Sequence, residues 1–384
     1  MKRILFIATC NIGKRTGGGL ANLAYYNAFK EMYPNMVDLA MAEEYCIGTY
    51  ANSIKIPRRK CVKKILDLLR GETHRNKSFF INYIPQVAEK YSYCIINGGI
   101  YAGDMIDIFH KYGIQVIVIH HNFEREYHLG AKSWKTFWGI NTYIVNRIER
   151  NAYYKSDLNC FLTLDDRRLF HKYYGDCKGK EYLLGVFDYS PTVFDYSKKE
   201  KIFTTQNIII SGSMNSKQTV TGIMDFKKHY YDIFENKFSD WNIIITGREP
   251  SPKIVQFCNE HPDRLILVPN PSVIDKVIEK GAIFLCPTNV GGGLKLRLMD
   301  ALKLGIPVLT HKVSARGYEA FWNYPFFQVY QDETSFIKGL KVLTEYIQNG
   351  ENFQSEIIRI YNGNFSFVSG CHRVVEAMSS LSSD

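Results

Sequence analysis

The sequence predicts an α/β protein with two doubly wound parallel sheets, one in each half of the chain. Three observations carry this. Short apolar runs alternate with stretches of helical period, the grammar of βα units. The alternation pauses once, in a turn-rich stretch, and then restarts. The length, 384 residues, exceeds one ordinary core and suits two domains.

The first half opens on a buried strand, Lys2–Ala8. Its apolar stretch, Ile4 to Ala8, gives way at once to polar Asn11, Lys14 and Arg15, so it reads as a strand and not as a signal peptide. Leu20–Glu31 has a helical period, and Val37–Ala40 is a short strand. Ala88–Asn97 holds a helix end and the strand "YSYCIIN". Met105–Lys111 is helical and "QVIVIH", Gln115–His120, a strand. Tyr143–Lys155 is helical and "LNCFLT", Leu158–Thr163, a strand. Asp165 and Asp166 then read as a helix N-cap and a first-turn acid.

Residues 185–206, mixed and turn-rich, read as the interdomain linker. Asn207–Ser211 is the next strand and Val220–Phe234 one helix. "WNIIIT", Trp241–Thr246, is a strand, Leu265–Val268 a short one, and Val273–Lys280 a helix. From Ser355 the chain is helical, interrupted at "NGNFSF". The expected domains are 1–190, 191–360 and a C-terminal helix, 361–384, that packs back on the first domain.

Composition bounds the function. At 46% hydrophobic and 22% charged the chain is ordinary globular protein. It lacks the run of about 18 apolar residues that a transmembrane helix needs. Nine cysteines include no C-x-x-C pair, which argues against a zinc site or disulfide framework and suits a reducing cytoplasm. The net charge of +10 is uneven: residues 1–190 carry 27 Lys+Arg against 18 Asp+Glu, residues 191–384 carry 21 against 20. Something anionic is therefore expected to meet the N-terminal half. "IKIPRRKCVKKILDLLRGE" places Lys55, Arg58, Arg59, Lys60, Lys63, Lys64 and Arg70 beside Ile65, Leu66, Leu68 and Leu69. It reads either as a basic amphipathic helix for an anionic membrane surface or as a solvated helix over the sheet. No RNP, zinc or helix-turn-helix pattern accompanies these charges, so nucleic acid is not expected as a partner.

The most informative stretch is "GAIFLCPTNVGGGLKLRLMDALKLGIPVLTHKVSARGYE". A strand, Ala282–Cys286, is followed by Pro287, then Gly291, Gly292 and Gly293, and a helix with Leu294, Leu298, Leu302 and Leu304 on one face. The helix stops at Gly305, and Ile306–Leu309 is the next strand. A helix N-terminus presents unpartnered N–H groups and favours an anion. Glycines let a bulky anion approach the backbone. Lys295, read as lying one residue into the helix, adds a mobile positive charge. A phosphate or diphosphate is the simplest ligand for such a set.

These residues resemble the GT-B glycosyltransferases of the large retaining family 4, the "glycosyl transferases group 1", over most of the chain and most closely from about 207 to 319. "MDALKLGIPVL" matches the family's second acid with Asp300 and its helix end with Gly305 and Pro307. The first acid falls at Gly292, a departure. "GGGLKLR" is closer to a subgroup with G-x-G-[IL]-K-x-K. The resemblance implies two Rossmann-like domains whose parallel sheets face each other across a cleft. It implies that Gly291, Gly292, Gly293, Leu294 and Lys295 take a donor diphosphate and that Asp300 bonds the ribose hydroxyls. "TCNIGKRTGGGLANLAYY" is similar to the family's first glycine loop and brings Gly18 and Gly19 into the donor set. "IIISGSMNSKQTVTGIMDF" supplies Lys217, and "IIITGREP" supplies Arg248; for each, a solvated surface charge is the competing reading. Val268, closing Leu265–Val268, is the remaining donor-side candidate. "VIVIHHNFEREY" is similar to the segment that carries a histidine near the reacting sugar, and aligns it with His121.

A retaining transferase must stabilise charge growing on the leaving phosphate, and N–H dipoles and cations do this in a water-poor site. No short D-x-D is present, so no metal or other cofactor is expected. Glu124, Trp134 and Trp138 are acceptor-side candidates; Glu124, with Glu126, reads equally as loop charge. The expected function is transfer from a nucleotide-sugar, UDP ahead of GDP, to a glycan or lipid-linked glycan, in the cytoplasm and at the inner membrane face. Two alternatives stand: a nucleotide-sugar epimerase on the same fold, and a non-catalytic binding partner, because the first acid is missing.

Overall fold

In a computed structural model the chain divides into two units, Met1–Thr192 with Ser366–Asp384, and Val193–Phe365. The structure describes residues 2–9, 11–12, 17–57, 75–99, 102–126, 138–191, 205–291, 294–351 and 353–381.

The first unit holds seven strands: β1 (Arg3–Ala8), β2 (Val37–Ala42), β3 (Ile54–Ile56), β4 (Tyr91–Asn97), β5 (Gln115–His120), β6 (Leu158–Phe161) and β7 (Lys180–Leu183). All pair in parallel, in the order β3-β2-β1-β4-β5-β6-β7. The central strands are buried along nearly their whole length, which is why they read as continuous apolar runs. On one face Phe80, Phe109, Ile84 and Met105 close the core over β1, β4 and β5. The helix Phe367–Leu381 lies on the helix Gly17–Met32. Gly370 packs there so tightly against Phe187 that a Cβ would stand 2.1 Å from its ring.

The second unit holds six: β8 (Asn207–Ser213), β9 (Asn242–Arg248), β10 (Leu265–Pro269), β11 (Ile283–Cys286), β12 (Val308–His311) and β13 (Phe327–Tyr330). Again all are parallel, in the order β10-β9-β8-β11-β12-β13. Each sheet runs outward from its first strand in one direction and then in the other. The order therefore reverses between β1 and β4, and between β8 and β11, the points where open α/β sheets bind ligands at their carboxyl edge.

Several expected elements differ. The helix expected over Val220–Phe234 is two, Lys217–His229 and Tyr231–Lys237. The break falls at Tyr230, whose ring packs between Tyr330 at 5.2 Å and Phe336 at 4.9 Å and turns the backbone out of the helix. The strand expected at Ile306 begins at Val308, because Pro307 cannot donate to a ladder. "NGNF" stays helical to Phe365; the interruption is Ser366, whose hydroxyl caps the last helix through Ser369 N. Thr163 is the cap expected at Asp165 or Asp166, and both acids lie in the first turn. The linker is shorter than expected: Val186 and Phe187 are core of the first unit. Lys55 is in β3, so no basic helix begins there, and Arg58 to Arg70 fall outside the described residues.

Candidate functional site

In the second unit the reversal point is built by one close approach. Gly222, in the helix Lys217–His229, sits on the segment after β11: a Cβ there would stand 2.6 Å from Thr288 Cα and 2.7 Å from the Pro287 carbonyl. Residues four apart share a helix face. Seating Gly222 on Pro287–Thr288 therefore delivers Gln218 to the glycine loop. Its amide lies against Gly291, where a Cβ would come within 2.3 Å of Nε2. Gly291 has φ +88°, open to glycine and costly to other residues. Lys295 Nζ donates to Gln218 Oε1 at 3.1 Å. Thus the helix after β8 and the loop after β11 are tied by the Gln218 amide, which lies against Gly291 and accepts from the Lys295 ammonium.

Lys295 is not inside the helix. It is the N-cap of Leu296–Lys303, with extended backbone, and its side chain makes no capping hydrogen bond. A lysine has donors only and cannot satisfy the first-turn N–H groups. The Lys295 carbonyl accepts from Leu298 N at 3.0 Å, and the first two amides of the helix, those of Leu296 and Arg297, are the ones suited to an anion. The loop after β12 braces this arrangement. Buried Tyr318 donates to the Lys295 carbonyl at 2.8 Å, and Ser314 Oγ donates to the Thr288 carbonyl at 2.5 Å.

The other donor-side candidates lie along the same edge. Lys217 opens its helix, which Ser216 caps through Thr219 N. Arg248 ends β9 opposite Ser213. Val268 pairs with Thr246 in register, and its carbonyl accepts from Thr246 Oγ1 at 2.9 Å. Asp300 accepts from Arg297 Nη1 at 2.7 Å, one helical turn on. Leu294 is half-buried beside Lys295; Gly292 and Gly293 lie outside the described residues.

In the first unit, His121 follows β5 beside Asn97, the last residue of β4. Its Nε2 meets Asn97 Oδ1. Asn97 Nδ2 donates to Asn22 Oδ1 at 2.9 Å, and Asn22 Nδ2 donates to the Gly18 carbonyl at 2.8 Å. The glycine-loop candidate Gly18 and His121 are thus joined; Gly19 is buried in the same turn. Desolvation pushes the His121 imidazole down to about 4, so it is neutral at pH 7. Its neighbour His120 is fully packed between Phe161 and Phe170, and burial pushes it to about 4 as well.

The segment after His121 is held from beneath by buried acids. Asp166 accepts from Phe123 N at 3.1 Å, and Glu149 accepts from Glu124 N at 2.8 Å and from Tyr174 Oη at 2.9 Å. Burial pushes Glu149 up to about 8 and Glu124 up to about 7, with the Asn122 amide opposing the latter. Trp138 opens the helix Trp138–Lys155, its side chain outside the description, and Trp134 lies outside the described residues. Among the described residues no three His, Cys, Asp or Glu are grouped to hold a metal ion, and no helix is long and apolar enough to cross a membrane.

Sequence reasoning missed Gln218, Asn22, Asn97, Glu149 and Tyr318. Asn97 carried a signal, a polar residue closing the apolar stretch Tyr93–Ile96 at a strand end. Gln218 lies in the first turn of its helix, Asn22 and Glu149 within theirs and Tyr318 in a loop, and only the packing gives them a role.

Two Rossmann-type sheets of this order, with ligand-competent carboxyl edges, define the GT-B fold of glycosyltransferases. Solved structures agree. HepE from Anabaena in complex with UDP superposes with a TM-score of 0.65 at 12% identity, over 98% of this chain and 100% of HepE. The lipopolysaccharide outer core galactosyltransferase WaaB gives 0.67 at 11%, over 98% and 99%. TarM gives 0.59 at 14%, over 79% of this chain; the match spans 58% of TarM's length. No protein-family model and no curated protein sequence matches the chain.

Proposed function

We propose that the protein is a nucleotide-sugar-dependent glycosyltransferase that transfers from a UDP-sugar to a glycan or lipid-linked glycan with retention, without a metal. One observation carries this: Lys295, at a helix start its side chain does not cap, bonded to the Gln218 amide that lies against Gly291, at the reversal point of the second sheet. That set suits a diphosphate, whose charge grows as the sugar leaves. The GT-B fold adds support, as does HepE's complex with UDP-glucose. WaaB, a galactosyltransferase of the lipopolysaccharide outer core, is in keeping with a glycan acceptor. His121 is proposed to bond a hydroxyl of the reacting sugar, and Glu124 to face the acceptor. The basic stretch of the first half is proposed to keep the enzyme at the cytoplasmic membrane face.

Titration calorimetry with UDP, GDP, ADP and dTDP tests the reading. UDP should bind best. Lys295→Ala should weaken it roughly ten- to a hundredfold, the worth of a charge-assisted hydrogen bond of about 1.5–3 kcal/mol. Transfer should continue in excess EDTA, and product NMR should show the donor's anomeric configuration. No nucleotide binding, or equal affinity in the variant, would sink the assignment.

A further inference from the structure

A chain of three hydrogen bonds in the first unit decides which nitrogen of His121 carries its proton. It starts at a group whose character is fixed. The Gly18 carbonyl oxygen has lone pairs and no proton. The end of the Asn22 amide that meets it at 2.8 Å must be the NH2. The other end of Asn22 is then oxygen, so Asn97 must turn its own NH2 toward it, at 2.9 Å. That leaves the oxygen of Asn97 facing Nε2 of His121. An oxygen there demands an N–H, so Nε2 is the protonated nitrogen. A neutral imidazole has one N–H, and Nδ1 is left as a bare acceptor. Rotating either asparagine amide by a half-turn would set two acceptors, or two donors, against each other inside the protein, because both residues are 0% exposed.

The surroundings hold this in place. The Thr9 hydroxyl donates to the Asn97 carbonyl and fixes its backbone. Buried Tyr25 donates to the Gly185 carbonyl at 2.6 Å and stands edge-on to the imidazole, ring centres 6.1 Å apart. Among the described residues Nε2 is the ring nitrogen of His121 with a hydrogen-bond partner, and the residue is half-buried.

We infer that Asn22 and Asn97 are positioning residues that lock His121 in the Nε2–H form, so that Nδ1 accepts a hydrogen bond from a substrate hydroxyl. The identity of that hydroxyl as a sugar's rests on the function proposed above; the tautomer does not. The opposite tautomer would offer an N–H and select an acceptor atom instead. No proton changes hands in this role. Burial keeps the ring neutral, so the imidazolium, with donors on both nitrogens, is not populated at neutral pH.

Histidine labelled with nitrogen-15 in the intact protein tests this. Long-range proton–nitrogen correlation at neutral pH distinguishes the two tautomers, and His121→Gln assigns the signal. The expected wild-type pattern is protonated Nε2 and bare Nδ1. Asn22→Leu removes the fixed start of the chain, lets the Asn97 amide rotate, and should give a mixed or reversed pattern. In that variant kcat/KM for transfer should fall about tenfold, one hydrogen bond's worth, with UDP affinity unchanged. A wild-type ring protonated on Nδ1 overturns the inference, and so does a folded Asn22→Leu protein with the wild-type pattern. The wild-type spectrum decides alone if the variant does not fold. Because the spectrum needs no donor or acceptor sugar, absence of transfer alongside the Nε2–H pattern counts against the transferase reading and leaves the lock standing.

Discussion

Lys295 carries a long side chain with four rotatable bonds, and ordering such a chain on binding costs about 0.5–1.5 kcal/mol. Gln218 meets part of that cost beforehand. Its Oε1 accepts from the ammonium at 3.1 Å and so fixes where the charge sits. Gln218 thus acts as a neutral second hand on the cation, where the family resemblance leads one to expect a second positive charge. Gln218→Leu should keep the fold and the charge but lose the pre-ordering. UDP affinity should fall roughly two- to tenfold, much less than for Lys295→Ala. An equal loss in the two variants, read by calorimetry, would mean that Gln218 itself binds the ligand. None of this was legible in "SKQTVTG", where Lys217 drew attention by its charge. Gln218 gains its role from Gly222 one turn later, whose partner, Pro287–Thr288, is far away in sequence.

At the scale of elements, the strand ends and glycine loops position everything, and these the sequence showed best. Buried parallel strands carry an unbroken apolar stretch at their centre, so β1, β4, β5, β8, β9 and β11 stand out as runs. Edge strands do not. β3 has three residues, and β7, "KEYL", has none fully buried. The break at Tyr230 was also hidden, because "YY" continues a helical period and only contact with Tyr330 and Phe336 ends it. Gly291 gives a test at this scale. A methyl group there would be forced into a φ of +88° and against the Gln218 amide. Gly291→Ala should cost about 1–3 kcal/mol and weaken UDP by pushing Gln218 off Lys295. Thermal unfolding and calorimetry on one preparation check both. Unchanged affinity would separate the loop from the ligand.

Across the whole molecule, proton linkage around the end of β5 shapes stability. Glu124 and Glu149 have folded pKa values raised to about 7 and about 8, above their usual 4.5. They hold more protons folded than unfolded, and the stability they contribute is lost as pH rises through those values. His120 and His121 are lowered to about 4 from 6.5. They hold fewer protons folded, and their contribution is lost as pH falls below 6.5. Between about 4.5 and 6.5 the two pairs offset one another. The four groups together give a plateau there, with decline toward pH 8 and below 4.5. Glu149→Gln keeps the acceptor for Glu124 N without the titration. It should flatten the alkaline limb and gain on the wild type from pH 5 to 9, by at most about 5 kcal/mol at 1.36 kcal/mol per pKa unit. Denaturant unfolding across pH reads this directly, and parallel profiles for the two proteins would show that Glu149 does not titrate on unfolding.

The chain path sets an order of assembly. The second unit, Val193–Phe365, is spelled out within the first, which resumes only at Ser366. A ribosome therefore delivers the whole of the inserted unit before the helix Phe367–Leu381 that closes the earlier one over Gly17–Met32 and Phe187. During synthesis the first-made part stays without this helix, and Phe187 without its cover by Gly370, until Phe367–Leu381 has been made. A transcript cut short before Ser366 would yield a finished insert joined to an open host. The helix Phe367–Leu381 thus ties closure of the first unit to passage of the ribosome through the whole of the second.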